Sequence, residues 1–125
     1  MMKKYLLLLS LFFALPMVSQ KNEINCPKPL HAMTSEDKFN SDVRNNTLNV
    51  YIVGGMVSAI REREVAFAKK YNVRFHDFGC VVPANLSFYD TYNQFVFKHL
   101  TNTFGPEWLK EINPNVIGIT KYKEI

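Results

Sequence analysis

From Asn85 to Phe104 the large apolar side chains recur every three or four residues, and that period fixes the centre of any fold this chain can adopt. Phe88, Tyr89, Tyr92, Phe95, Val96, His99, Leu100 and Thr103 share one face of a helix; Asp90, Thr91, Gln94, Lys98, Thr101 and Asn102 share the other. Each large side chain withdrawn from water contributes roughly 1.5–3 kcal/mol, so this face must be core. Ser87 and Asp90 offer a capping pair at its start, and Gly105-Pro106 stops it.

The rest of the chain alternates around that helix. Leu48 to Val53 is rich in Val, Ile and Tyr and ends at Gly54-Gly55, which predicts a buried strand. Arg61 to Tyr71 has a helical period with Asn72 as its stop, and Val73 to Val82, closed by Pro83, predicts a second strand. Pro106 starts a short helix through Ile112, and Val116 to Tyr122 predicts a last strand. The pattern implies an α/β fold, a small three-stranded, mostly parallel sheet with two main helices in the order β-α-β-α-α-β. This single domain spans residues 47–125. Residues 20–46 are polar, contain Pro27 and Pro29, and read as an irregular arm with at most a helical turn at Ser35–Phe39.

Residues 1–19 have the layout of a signal peptide. Lys3 and Lys4 precede an apolar run, Tyr5 to Leu15, and Pro16 and Ser19 lead to a cleavage point before Gln20. That run holds about 11 residues against the roughly 20 needed to cross a bilayer, so no stable membrane span is expected. The working protein is expected in the periplasm or at the cell surface. Cys26 and Cys80 are the only two cysteines, and in an oxidising compartment they are expected to form one disulfide. It would close a loop of roughly 55 residues, worth on the order of 4 kcal/mol. The flank Glu23-Ile24-Asn25 lacks the small, apolar residues of a lipoprotein signal, which excludes a lipidated Cys26. Two of the four net positive charges belong to Lys3 and Lys4, and no basic stripe alternates with aromatics, so no nucleic-acid partner is indicated.

In an open parallel sheet, ligands bind beyond the carboxyl ends of the strands. There the sequence places Gly54-Gly55, where backbone can approach a ligand closely, and Asp77. Glu64 opens the first helix toward the same edge, where the helix dipole favours a carboxylate and Arg61 or Arg74 is a potential partner. With His76 and His99 these residues form the predicted ligand-binding set. A third glycine at dinucleotide spacing and a Lys-Ser/Thr pair are both missing, so no cofactor is predicted. His31, His76, His99 and the two cysteines show no tight metal-ligand spacing, and no metal site is predicted. No complete catalytic set emerges. His76 and Cys80 stand about 13 Å apart along an extended strand, too far for a nucleophile–base pair unless Gly79 bends it.

Several separated blocks are similar to the FEKKY-domain proteins, small exported proteins of Gram-negative bacteria. Phe67-Ala68-Lys69-Lys70-Tyr71 resembles their signature, with Ala68 in place of Glu. Tyr51-Ile52-Val53-Gly54-Gly55, Arg74 to Cys80, Trp108 to Ile112 and Val116-Ile117-Gly118 follow in the same order. The resemblance runs from Leu48 to Tyr122 and implies export and these domain limits; it brings no catalytic residues. The expected function is that of an exported, non-enzymatic module binding a protein or a small molecule. The alternative is a small hydrolase-like or thiol-dependent enzyme built on His76, Asp77 and Cys80.

Overall fold

The computed structural model describes residues 33–125. Thr34 opens helix α1 (Ser35–Asn45) with a reciprocal cap: its hydroxyl accepts from the Asp37 N–H at 3.1 Å, and Asp37 Oδ2 accepts from the Thr34 N–H at 3.3 Å. Asn46, in the left-handed region at φ 57°, ends the helix. Strand β1 (Asn49–Ile52), helix α2 (Glu62–Tyr71), strand β2 (Arg74–Asp77) and the long helix α3 (Leu86–Phe104) follow. A 3-10 turn (Pro106–Lys110) and a short helix α4 (Ile119–Lys123) complete the order. Among the described residues no helix is long and apolar enough to cross a membrane. The expected signal peptide and Cys26 lie outside the described residues.

β1 and β2 pair in parallel, Asn49 with Arg74 through Ile52 with Asp77, and α2 is the crossover between them. Side chains alternate across a strand, so the sheet meets a helix on each face. Phe75 contacts Phe67 of α2 with ring centroids 5.7 Å apart, whereas Tyr51 contacts Tyr89 and Tyr92 of α3 at 4.5 and 5.1 Å. Val50, Ile52, Val96, Phe97, Leu100 and Trp108 are fully buried between and beside these layers. On α3 the buried face is Tyr92, Asn93, Val96, Phe97 and Leu100, rotated from the expected one. Phe97 turns inward to stack on Trp108 at 5.4 Å, and Thr103 is exposed. The helix starts after Asn85, and Asp90 bonds Gln94 at 3.1 Å instead of serving a cap with Ser87.

The expected three-stranded sheet does not form: the described residues hold one sheet of two strands. Val116 makes a single antiparallel bridge to Ile52, and the Ile117 N–H donates to Tyr51 O at 3.0 Å. The chain then leaves the sheet at Gly118, whose φ of 80° turns it into α4. A Cβ at Gly118 would collide with Asp90 and Gln94 of α3. Asn93, reaching up from α3, stands in for further strand. Its Nδ2 donates to Tyr51 O and Ile117 O, both at 2.9 Å, and its Oδ1 accepts from the Tyr51 N–H at 3.1 Å. β2 likewise ends at Asp77, five residues short of the expected Val82, because Gly79 at φ 68° turns the chain.

Nor is the described part of the N-terminal arm irregular. α1 lies on α3 through Phe39, stacked on Phe95 at 5.5 Å, and through Tyr92, whose hydroxyl donates to Asp42 Oδ2 at 2.6 Å. The Ser35 hydroxyl donates to Phe88 O at 2.9 Å, which sets the start of α1 against the start of α3. The block Phe67 to Tyr71 fastens α2 in place: Phe67 and Tyr71 are buried, and Glu111 accepts from Lys70 at 2.7 Å and from the Tyr71 hydroxyl at 2.9 Å.

Candidate functional site

Beyond Ile52 the chain turns through Gly54-Gly55, and the fit there is tight. A Cβ on Gly54 would lie 2.6 Å from Asp77 Oδ2 and 2.7 Å from Ala59 Cβ, so only glycine is accommodated. Asp77 causes the crowding. Its Oδ1 accepts from the Gly54 N–H at 3.0 Å and the Gly79 N–H at 2.7 Å, and its Oδ2 accepts from the Ala59 N–H at 2.9 Å. Burial alone would raise this carboxyl's pKa; the N–H groups of Ala59, Gly79 and Gly54, with His76 nearby, outweigh burial and hold it below the ordinary 3.8. A further bond, Gly55 N–H to Gly79 O at 3.0 Å, joins the loop after β1 to the loop after β2.

Glu64 is buried in the first turn of α2. Its partners are the Arg61 backbone N–H on Oε2 and the Asn113 amide on Oε1, each at 3.0 Å, in place of an arginine charge. The acidic side chain thereby satisfies an orphan N–H at the helix start and pins residue 113 against it. An open cleft of about 400 Å³ lies where these parts meet, lined by Gly54, Ser58, Arg61, Glu64, Asn113 and Asn115 among others. Arg63 is committed elsewhere, donating to Glu111 O at 3.0 and 3.1 Å and to Ile112 O at 3.1 Å. Arg61 is exposed at the rim and makes no ion pair among the described residues.

The expected set therefore divides. Gly54 and Glu64 line the cleft, Asp77 braces it from behind, and Gly55 links the two loops. His76 lies on the α3 face of the sheet, edge-on to Tyr51 at 5.5 Å and Phe78 at 4.8 Å. His99 is half-buried on α3 against Phe39, centroids 6.0 Å apart. Cys80 is exposed in the loop after β2. Among the described residues no three His, Cys, Asp or Glu side chains gather as a metal site.

Sequence reasoning missed Ser58, Asn113 and Asn115, whose polar side chains carry no periodic signal. It also missed a buried carboxylate at the α1–α3 seam. Asp42 accepts from Lys38 at 2.8 Å, Tyr92 at 2.6 Å and the Asn49 side chain at 3.3 Å. Burial would raise its pKa, but Lys38, Tyr92 and Asn49 together hold it below the ordinary 3.8. Tyr92 is pushed up by burial and by the Asp42 charge, and Tyr51, by burial and then Asp42 and Tyr89, to about 12. The four-residue spacing of Lys38 and Asp42 was the available signal. Comparison of the chain with family models, curated proteins and solved structures yields no match.

Proposed function

We propose that this chain is an exported binding module, without catalysis of its own, that takes an acidic group of a ligand into the cleft between the loop after β1, the start of α2 and residues 113–115. The observation carrying this reading is how the two nearby carboxylates are employed. Every oxygen of Glu64 and Asp77 already accepts a hydrogen bond from the protein. Bonds from the Gly54, Ala59, Gly79 and Arg61 N–H groups and from the Asn113 amide engage both carboxylates in positioning loops, which supports a binding role over one as general base or nucleophile. Arg61 then supplies the charge at the rim, and a guanidinium there is suited to a carboxylate or similar anion. Export is supported by the signal-like residues 1–19 and by the resemblance to FEKKY-domain proteins.

Amide NMR titration with citrate and with a short glutamate-rich peptide tests the binding site. Saturable shifts at Ser58, Arg61 and Asn115 that disappear in Arg61→Ala are expected; no saturable shift at these positions with either probe would remove the reading. Export is tested separately by the mass of the chain recovered from cells. A chain beginning at Gln20 in the extracytoplasmic fraction is expected, and an intact Met1 on cytosolic protein would refute it.

A further inference from the structure

The backbone of β2 is used on one side. The Arg74 N–H donates to Leu48 O at 2.8 Å and the Phe78 N–H to Ile52 O at 2.9 Å. Alternate residues of a parallel strand serve one neighbour, so Arg74, His76 and Phe78 face β1 while Phe75 and Asp77 aim their backbone groups the other way. Among the described residues no strand meets them there. Such a rim fits an extended chain, whose donors and acceptors repeat at the same interval.

A groove of about 350 Å³ adjoins the rim on the side of α2, lined chiefly by Ile60, Val65, Ala68, Val73 and Phe75. Ile60 is 38% exposed and Val65 47%. Phe75 belongs to both groove and rim, so a strand laid against β2 would send every second side chain toward the groove. The charges around it are mainly positive. Arg61, Lys69 and Arg74 are exposed and make no ion pair among the described residues. The exposed carboxylate on α2 is Glu62, about 10 Å along the helix from Lys69. Glu64 is buried and bonded to the Arg61 N–H and the Asn113 amide.

We infer that the outer rim of β2 and the adjoining α2 groove bind an extended, acidic peptide as an added strand. Its apolar side chains alternate into the groove, and its carboxylates meet Lys69 and Arg74. Asn93, Val116 and Ile117 already occupy the flank of β1, which directs the peptide to β2. Ser58 and Asn115 of the cleft take no part, so the inference stands apart from the reading of that cleft.

The full chain is titrated with an octapeptide alternating valine and glutamate, and with one alternating valine and lysine. The glutamate peptide is expected to bind saturably and to slow hydrogen exchange of the Phe75 and Asp77 amides by about tenfold. The lysine peptide should bind about tenfold more weakly. Lys69→Glu and Arg74→Glu, both charge reversals on exposed side chains, should each weaken the glutamate peptide by about threefold. Equal affinity for the two peptides, unchanged exchange at Phe75 and Asp77 in the bound state, or full affinity in both variants would each overturn the inference. Shifts confined to Ser58, Arg61 and Asn115 would overturn it and leave the cleft reading intact. Protection of Phe75 and Asp77 without those shifts would support it and remove the cleft reading alone.

Discussion

At the scale of single residues, the site is governed by hydrogen-bond accounting. Asp77 serves three backbone N–H groups that belong to neither strand, so the turn after β1 and the turn after β2 depend on one carboxylate. Replacing it by asparagine keeps the shape but loses the charge and puts an amide donor where an acceptor stood. Asp77→Asn should lower stability by about 1–3 kcal/mol in urea unfolding monitored by circular dichroism, since buried donors left without partners cost that much. Stability equal to that of the parent would mean the clasp is incidental. The sequence pointed to Asp77 through its place toward the carboxyl end of an expected strand, yet its role is to brace the cleft. Glu64 was legible in the same partial way: its place at a helix start predicted a stabilised charge, but the Asn113 amide that fixes it lies far along the chain, beyond the reach of any local pattern.

Among the elements, those with a strong hydrophobic period were readable. α3 and α2 fall close to their expected limits because apolar spacing and the stops at Gly105 and Asn72 define them locally. α1 was not, since Phe39 is its one aromatic anchor and the rest of its attachment is polar bonds at Asp42 and Ser35 that only the folded partner reveals. The supposed last strand misled for a related reason. Val116 and Ile117 look like strand residues and do touch β1, but a glycine wedged under α3 redirects the chain. Gly118→Ala should therefore lower stability by about 1–3 kcal/mol, through both the positive φ and the collision with Asp90 and Gln94. The melting temperature of that variant decides the matter; an unchanged value would show that α4 contributes nothing there.

For the whole molecule, two carboxylates shape the response to acid. Asp42 and Asp77 both have folded pKa values below the ordinary 3.8. Their stabilisation is complete above the unfolded value and is lost as pH falls through the depressed folded values. Stability should hold from neutral pH to about 5 and decline steeply below about 4. Asp42→Asn should be less stable at neutral pH and show a shallower acid decline; an acid limb as steep as the parent's would exclude Asp42 as a contributor.

The side-chain amide of Asn93 has one last consequence, for self-association. By occupying the flank of β1 together with Val116 and Ile117, it removes the margin on which a foreign strand would dock. Among the described residues no strand pairs with the outer rim of β2, four residues long and begun by the charged Arg74. So short and charged a rim is a poor template for fibril growth.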